Sequence, residues 1–193
     1  MSETPLPKDL LPVLSSLAEW LRDDGIPYAI IGGVAIGLVA EARATQDIDA
    51  IVWLDLENVA SFIKSGAQSG FVPRISDPVD FARKTRVVLL EHADTNIGVD
   101  ISCGALPFEQ ELIERAQEFK VRDVTLKVAA PEDLIITKAV AHRGRDLIDI
   151  ENLLLAHPDL DVARVRSWVQ QFADVLEAPE LINDLENILR HAN

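Results

Sequence analysis

The sequence predicts an α+β fold in which a sheet-forming portion, residues 25–129, is followed by a helical portion, residues 130–193. In the first portion, short apolar runs alternate with turn residues, which is typical of β-strands. In the second portion, apolar residues recur every three or four positions, which is typical of amphipathic helices. We therefore expect two domains: a core at 1–129 that includes an N-terminal helix, and a helical portion at 130–193 packed on it.

The elements of the first portion follow from local patterns. Leucines at helical spacing predict a first helix, and glycines or prolines interrupt the pattern wherever an element should end. The turn residues Asp94, Thr95 and Asn96 separate two apolar runs and predict a hairpin, whereas the prolines and aspartates of 70–81 predict a loop. We expect helices at 8–22, 34–42, 56–65 and 108–118, and strands at 28–31, 48–54, 85–91, 98–102 and 120–128.

The second portion shows no strand pattern. Pro131 followed by two acidic residues is a favourable helix start, since proline fixes φ and the acids face the positive end of the helix. Helical periodicity predicts helices at 131–141, 146–155, 161–175 and 179–190.

Composition excludes several classes of protein. Hydrophobic residues make up 48% of the 193 residues, which is enough for a sizeable core. Charged residues interrupt every apolar run well before the roughly 20 residues that a membrane-spanning helix needs. The first residues lack the pattern of a signal peptide, and a single cysteine, Cys103, precludes an internal disulfide framework. We expect a reduced, cytoplasmic protein without a membrane partner.

The net charge of −14 opposes broad electrostatic binding to nucleic acid, which depends on many basic contacts to phosphate. Two basic islands stand out against this background, one at 83–86 and one at 142–145. Each is either ordinary surface or a landing site for phosphate or an RNA acceptor.

Two carboxylates open the predicted strand 48–54. Side chains alternate along a strand, so Asp47 and Asp49 share one face while Ile48 takes the other. Asp100, in the predicted strand 98–102, is the candidate for a third carboxylate. Carboxylate oxygens suit Mg²⁺, and two such ions can stabilise the attacking and leaving oxygens of an in-line displacement. The alternative is that these aspartates are only strand-end or turn residues.

A glycine pair, Gly32-Gly33, joins the predicted strand 28–31 to the next helix. Glycine lets the backbone approach a phosphate closely, and the helix N-terminus offers free N–H groups. The sequence contains neither the dinucleotide fingerprint nor a P-loop. Haloacid-dehalogenase-like phosphatases and DxD glycosyltransferases are disfavoured, because the hydrophobic run here follows the aspartates instead of preceding them.

The combined pattern resembles the DNA polymerase β-like nucleotidyltransferase superfamily. Its signature is matched by Gly32-Gly33, by the Asp47-Ile48-Asp49 run, which thirteen residues separate from Gly33, and by Asp100. The local form, with Arg43 and Thr45 before the aspartates, is most similar to the minimal and abortive-infection toxin-type bacterial nucleotidyltransferases. Segments around Lys138 and at 145–150 extend the resemblance, which covers about residues 25–155.

The resemblance implies a small mixed β-sheet core with helices packed on one face. It also implies a metal-dependent transfer of an NMP from an NTP to an acceptor: tRNA, a protein or a small molecule. Asp47, Asp49 and Asp100 would be the catalytic, metal-binding residues for two Mg²⁺ ions, with Mn²⁺ as a substitute. Gly32, Gly33, Arg43, Thr45 and Lys138 would bind the nucleotide.

Several alternatives stay open at this stage. Lys138 lies on an apolar stripe and either contacts the triphosphate or only extends its charge to solvent; Arg43 either binds phosphate or forms a structural ion pair. Asp146 and Asp149 are expected on a solvated or ion-paired face, with metal ligation as the alternative. The protein is expected to belong to a toxin–antitoxin or phage-defence system, with an antitoxin or a second copy of itself as partner. The rivals are an aminoglycoside-type nucleotidyltransferase and a non-catalytic, antitoxin-like binding module.

Overall fold

The computed structural model describes residues 9–41 and 45–191, which form nine α-helices and seven β-strands. The strands are β1 Tyr28–Ile31, β2 Ile48–Val52, β3 Phe71–Pro73, β4 Val87–His92, β5 Gly98–Cys103, β6 Gln117–Val121 and β7 Val124–Val128. The helices are α1 Leu10–Asp23, α2 Gly32–Val39, α3 Val59–Gln68, α4 Pro78–Thr85, α5 Pro107–Glu114, α6 Pro131–Ala141, α7 Gly144–Ala156, α8 Val162–Leu176 and α9 Glu180–His191.

All seven strands of the described residues belong to one mixed sheet, in the order β3-β4-β5-β2-β1-β7-β6. The pairs β2–β5 and β1–β7 are parallel, and the other four pairs are antiparallel. Strand β2 therefore lies in the middle, between β1 and β5. The α+β class with a small mixed sheet followed by a helical portion is confirmed.

Aromatic stacking fixes α1 and α3 to the edge of the sheet. The Trp20 ring of α1 lies 4.6 Å from Phe62 of α3 and 5.3 Å from Phe71 of β3, measured between ring centroids. Gly66 of α3 leaves room for this ring, because a Cβ at that position would lie 2.7 Å from it. The indole N–H donates to Asp24 and to Ser65, so the buried ring keeps its polar group bonded.

The described residues divide into two compact units, one formed by residues 9–35 with 45–129 and one by residues 36–41 with 130–191. The first contains the sheet. In the second, α6 packs against α7, α8 and α9, and buried leucines and valines of α8 and α9 form an apolar core. This second unit also buries two ion pairs, Arg164 with Asp133 and Lys138 with Asp146.

Two segments of the first unit are predicted wrongly, and the helix predicted at 108–118 ends four residues earlier than predicted, at Glu114. The segment 70–81 is not a loop throughout: it contains β3 and the first turn of α4, whose N-terminus is capped by the Asp77 carboxylate accepting from the Asp80 N–H. The predicted strand 120–128 is instead a hairpin of β6 and β7, with Arg122 at the turn in the left-handed region, φ 55°. The hairpin expected around 94–96 is confirmed by the antiparallel pair β4–β5.

No helix in the described part of the chain is both long and apolar enough to cross a membrane.

Candidate active site

The sheet brings the three predicted carboxylates to one face. Strand β2 carries Asp49 directly opposite Asp100 of β5 in the parallel register, and in-register neighbours of a sheet point the same way. Asp47 lies two residues before Asp49 and belongs to the same face. The alternating residues Ile48 and Ile101 point to the other face and are fully buried. Asp49 and Asp100 come from two strands that lie side by side in the middle of the sheet, and Asp47 directly precedes the first of them.

Two glycines leave space for these carboxylates. A Cβ at Gly32 would lie 2.7 Å from Cγ of Asp49, and Gly32 also has a left-handed φ of 64°. A Cβ at Gly98 would lie 2.7 Å from Oδ1 of Asp47. Real Cβ atoms do not approach other atoms so closely, so both aspartates occupy volume that only glycine leaves open. Gly32, the first glycine of the pair predicted as a phosphate turn, thus also contacts the carboxylate of Asp49.

The glycine turn opens a helix, as predicted. Gly32 and Gly33 are the first two residues of α2, which follows β1 without a linker. The first N–H groups of a helix have no partner within the helix and favour anions. This helix start lies next to the Asp49 carboxylate, so an anion at the turn and a cation at the aspartates would be neighbours.

Arg74 is a residue of this site that the sequence interpretation missed. Its Nη2 donates to Oδ1 of Asp100, and its Nη1 lies 3.0 Å from the Cβ position of Gly98, beside Asp47. Its backbone N–H donates to the Leu89 carbonyl at 3.1 Å, which pairs the chain after β3 with β4. Arg74 is the single basic residue of the segment 70–81 and was part of the predicted loop. Only the pairing of β3 with β4 shows where its side chain goes.

The electrostatics of the site act in opposite directions on Asp100. Burial raises the pKa of this carboxyl above its ordinary value, and the charge of Asp47 raises it further. The Arg74 guanidinium opposes both effects. The side chains of Arg74 and Asp100 are 31% and 37% exposed, so water screens their ion pair.

The remaining predicted nucleotide-binding residues are Arg43, Thr45 and Lys138. Arg43 lies outside the described residues. The Thr45 hydroxyl donates to the backbone carbonyl of Asp47 at 3.2 Å and so supports the chain that carries this aspartate. Lys138 lies in the helical unit, where its Nζ contacts Asp146 at 2.7 Å and Asp149 at 3.1 Å.

The surroundings of Lys138 show whether Asp146 and Asp149 are solvated or ion-paired. Lys138, Asp146 and Asp149 are all at least 90% buried, so the two aspartates are ion-paired and not solvated. Burial raises the pKa of Asp146, but hydrogen bonds from Arg143 and Lys138 outweigh burial and leave the pKa below its ordinary value. The contact of Lys138 with a triphosphate stays a prediction.

Several residues of the two basic islands form hydrogen bonds or ion pairs within the protein. Arg86 donates from Nε to the Cys103 carbonyl and from Nη2 to the Gly104 carbonyl, both at 2.8 Å. Lys84 pairs with Asp80 at 2.6 Å, and Arg143 pairs with Asp146. Arg83 and Arg145 are exposed. Cys103 is buried, which raises the pKa of its thiol to about 11 and makes it a poor nucleophile.

The fit of a metal ion can be judged from the carboxylates themselves. Three carboxylates on one face, with glycines beneath two of them, are the donor chemistry that a hard divalent cation requires. Within residues 9–41 and 45–191, however, no three Asp, Glu, His or Cys side chains are arranged to hold a metal as they stand. At this site the Asp100 carboxylate already contacts a cation, the guanidinium of Arg74.

The carboxylate-bearing mixed sheet, with a glycine turn opening a helix, fits a protein of the nucleotidyltransferase superfamily. The chain belongs to the family described as "Nucleotidyltransferase of unknown function (DUF6036)", whose model matches residues 8–188. The superfamily resemblance noted in the sequence is thereby confirmed.

Solved structures show the same fold. The solution structure of the antibiotic-resistance factor ANT(2'')-Ia has a TM-score of 0.62 and 14% identity, covering 91% of this chain and 97% of that one. The same protein in complex with adenylyl-2''-tobramycin gives a TM-score of 0.58 and 16% identity, covering 88% and 99%. An antigenic nucleotidyltransferase-like protein from Paracoccidioides brasiliensis gives 0.57 and 19%, covering 94% of each chain. At these identities the likeness is one of fold.

Curated relatives from two strains of Clostridium perfringens are named gamma-glutamyl phosphate reductase. Each is 23% identical over 187 residues, which are 95% of this chain and 43% of the relative. The chain therefore spans less than half the length of the curated relatives that it matches.

Proposed function

We propose that this nucleotidyltransferase moves an NMP from an NTP to an acceptor, with divalent metal held by Asp47, Asp49 and Asp100. The observation that carries the proposal is the parallel register of β2 and β5, which pairs Asp49 with Asp100 on the face that also holds Asp47. Mg²⁺ is the expected ion, as a pair, and Mn²⁺ is a substitute. When bound, the metal neutralises the triphosphate and polarises the reacting phosphorus.

The residues of the chain have separate parts in the proposed reaction. The acceptor oxygen forms a bond to the α-phosphorus, the bond from that phosphorus to the bridging oxygen breaks, and pyrophosphate leaves. The free N–H groups at the start of α2 bind phosphate oxygens. Asp100 takes the proton of the acceptor hydroxyl.

The net charge of the protein favours some acceptors over others. With a net charge of −14, an RNA acceptor would have to bind against a repulsive field, whereas a cationic small molecule would be attracted. An aminoglycoside-type acceptor is therefore the second candidate, and the structural likeness to ANT(2'')-Ia supports it. A cytoplasmic toxin or phage-defence role with an antitoxin partner rests on the sequence resemblance alone.

A reductase activity, which the name of the clostridial relatives indicates for them, is not proposed for this chain. No observation on this chain favours reduction: Cys103 is buried with a raised thiol pKa, and the sequence lacks a dinucleotide fingerprint. The matched region is also under half of those proteins.

The test is a transfer assay on the full chain. Each α-labelled NTP is incubated with Mg²⁺ or Mn²⁺ and with three acceptor sets: aminoglycosides, total tRNA and cell extract. We expect label transfer and pyrophosphate release with wild type, and loss of both in Asp47→Asn and Asp49→Asn. Asp94→Asn, at an exposed turn between β4 and β5, is the matched control and should retain activity. Absence of transfer with every nucleotide and acceptor set would contradict the proposal.

A further inference from the structure

The acidic face of the sheet already contains one positive charge. Arg74 pairs with Asp100, and the Cβ position of Gly98 lies 3.0 Å from Arg74 Nη1 and 2.7 Å from Asp47 Oδ1. The guanidinium thus pairs with one of the three carboxylates that would bind metal and lies near a second. Arginine stays protonated at any ordinary pH, so its charge cannot be removed by deprotonation.

Arg74 and a divalent cation would use the same oxygen atoms. Three carboxylates close together repel one another, and any cation among them relieves that repulsion. An ion bound by Asp47, Asp49 and Asp100 needs the Asp100 carboxylate, whose Oδ1 now accepts from Arg74. The arginine pair is partly exposed and screened, so a divalent ion with several carboxylate ligands can displace it.

We propose that Arg74 is the internal counter-ion of the active-site carboxylates and competes directly with divalent metal for Asp100. This inference rests on the proposed function, because it takes these aspartates as the metal ligands. In the absence of substrate the arginine balances part of the acidic charge. Metal binding requires the guanidinium to leave Asp100, so Arg74 lowers the affinity of the protein for free metal.

The competition can be measured without any reaction. Mn²⁺ alone is titrated into the full chain, without nucleotide, and unbound Mn²⁺ is counted by its electron paramagnetic resonance signal. Since a screened ion pair is weak, we expect Arg74→Gln to bind Mn²⁺ roughly three- to tenfold more tightly than wild type. Arg74→Lys keeps the positive charge and should stay within about twofold of wild type. Arg83→Gln removes the same charge from an exposed site on α4 and should also leave the affinity nearly unchanged.

A double-mutant cycle ties the effect to one carboxylate. In an Asp100→Asn background, Arg74→Gln should no longer tighten Mn²⁺ binding, because the group for which both cations compete is gone. Equal affinities of Arg74→Gln and Arg83→Gln would overturn the inference, and so would weaker binding by Arg74→Gln or no Mn²⁺ binding by any variant. If the predicted Mn²⁺ affinities are found without nucleotidyl transfer, the inference stands and the proposed function fails. If transfer occurs while Arg74→Gln leaves the Mn²⁺ affinity unchanged, only the inference fails.

Discussion

The carboxylate of Asp49 lies against the backbone of Gly32, so close that a methyl group there would be 2.7 Å from its Cγ. The glycine turn and the aspartate pair, which are separated by thirteen residues of sequence, are thus in direct contact across β1 and β2. A substitution at the turn should therefore disturb the carboxylate as well as the phosphate-binding backbone.

Gly32→Ala should impair both stability and nucleotidyl transfer. The left-handed φ of 64° costs an alanine about 1–2 kcal/mol, and the added methyl group must also displace the Asp49 carboxylate. The matched control is Gly25→Ala, with a φ of 66° but no atom within 4 Å of the new Cβ. It should lose only the backbone term and keep full transfer. Urea unfolding and the transfer assay measure the two effects; equal losses in both variants would contradict the close contact.

Gly98→Ala should reduce nucleotidyl transfer strongly but reduce the stability of the fold only slightly. The new Cβ would meet Asp47 Oδ1 and Arg74 Nη1, which are ends of flexible side chains, so the fold can adjust at a cost of about 1 kcal/mol or less. The adjustment moves the two charged groups out of place, and transfer should fall at least tenfold, which corresponds to about 1.4 kcal/mol in the barrier. Gly144→Ala, where the new Cβ meets nothing within 4 Å, should be nearly neutral in both assays. Normal transfer in Gly98→Ala would show that the position of Asp47 is unimportant.

Lys138→Met should destabilise the helical unit strongly. The methionine would leave Asp146 and Asp149 buried beside each other without the lysine charge, and loss of one partner of a buried ion pair costs about 3–5 kcal/mol. The control is Lys84→Met, which breaks a solvent-exposed pair with Asp80 and should leave the free energy of unfolding nearly unchanged. The free energy of unfolding in urea is the measurement. Similar values for the two variants would mean that the buried network does not stabilise the fold.

Asp146→Asn should reduce the sensitivity of the fold to acid. In the folded protein, hydrogen bonds from Arg143 and Lys138 outweigh burial and hold the pKa of Asp146 below its ordinary value of 3.8. The unfolded chain therefore takes up a proton first as the pH falls. The stabilisation is fully present above about pH 4 and is lost as the pH drops through the lower folded pKa.

The measurement is urea unfolding of wild type and Asp146→Asn across the acidic range. Wild type should lose more stability than the variant on going from neutral to acidic pH, while Asp94→Asn should follow wild type. Parallel stability curves for wild type and Asp146→Asn would contradict the pKa shift.

Much of the fold could be predicted because local patterns agree with the final structure. β1 lies where its apolar run predicts, and α6 begins at Pro131 as its proline and acidic residues predict. The prediction of α5 runs four residues too far, because residues 117–118 pair with β7 and become strand. β3 was missed because it is only three residues long, ends in proline and exists through pairing with β4.

In the candidate site, too, some features follow from local sequence and others depend on long-range pairing. The face shared by Asp47 and Asp49 follows from strand alternation, whereas the register that places Asp100 opposite Asp49 depends on a long-range parallel pairing. Arg74 could not be identified, since its place beside Asp100 depends on the missed strand. Lys138 looked accessible because a charge on an apolar stripe usually reaches solvent, but two aspartates of the next helix keep it buried.

The central position of β2 in the sheet affects how the protein unfolds and loses its candidate site on heating. With three strands on each side, the backbone amides of β2 exchange with solvent only when β2 separates from its neighbouring strands. The aspartates at its start are anchored to the segment that should exchange last. Heating should therefore abolish the carboxylate geometry and the fold in a single cooperative event, without an earlier stage in which the sheet is intact and the site has melted.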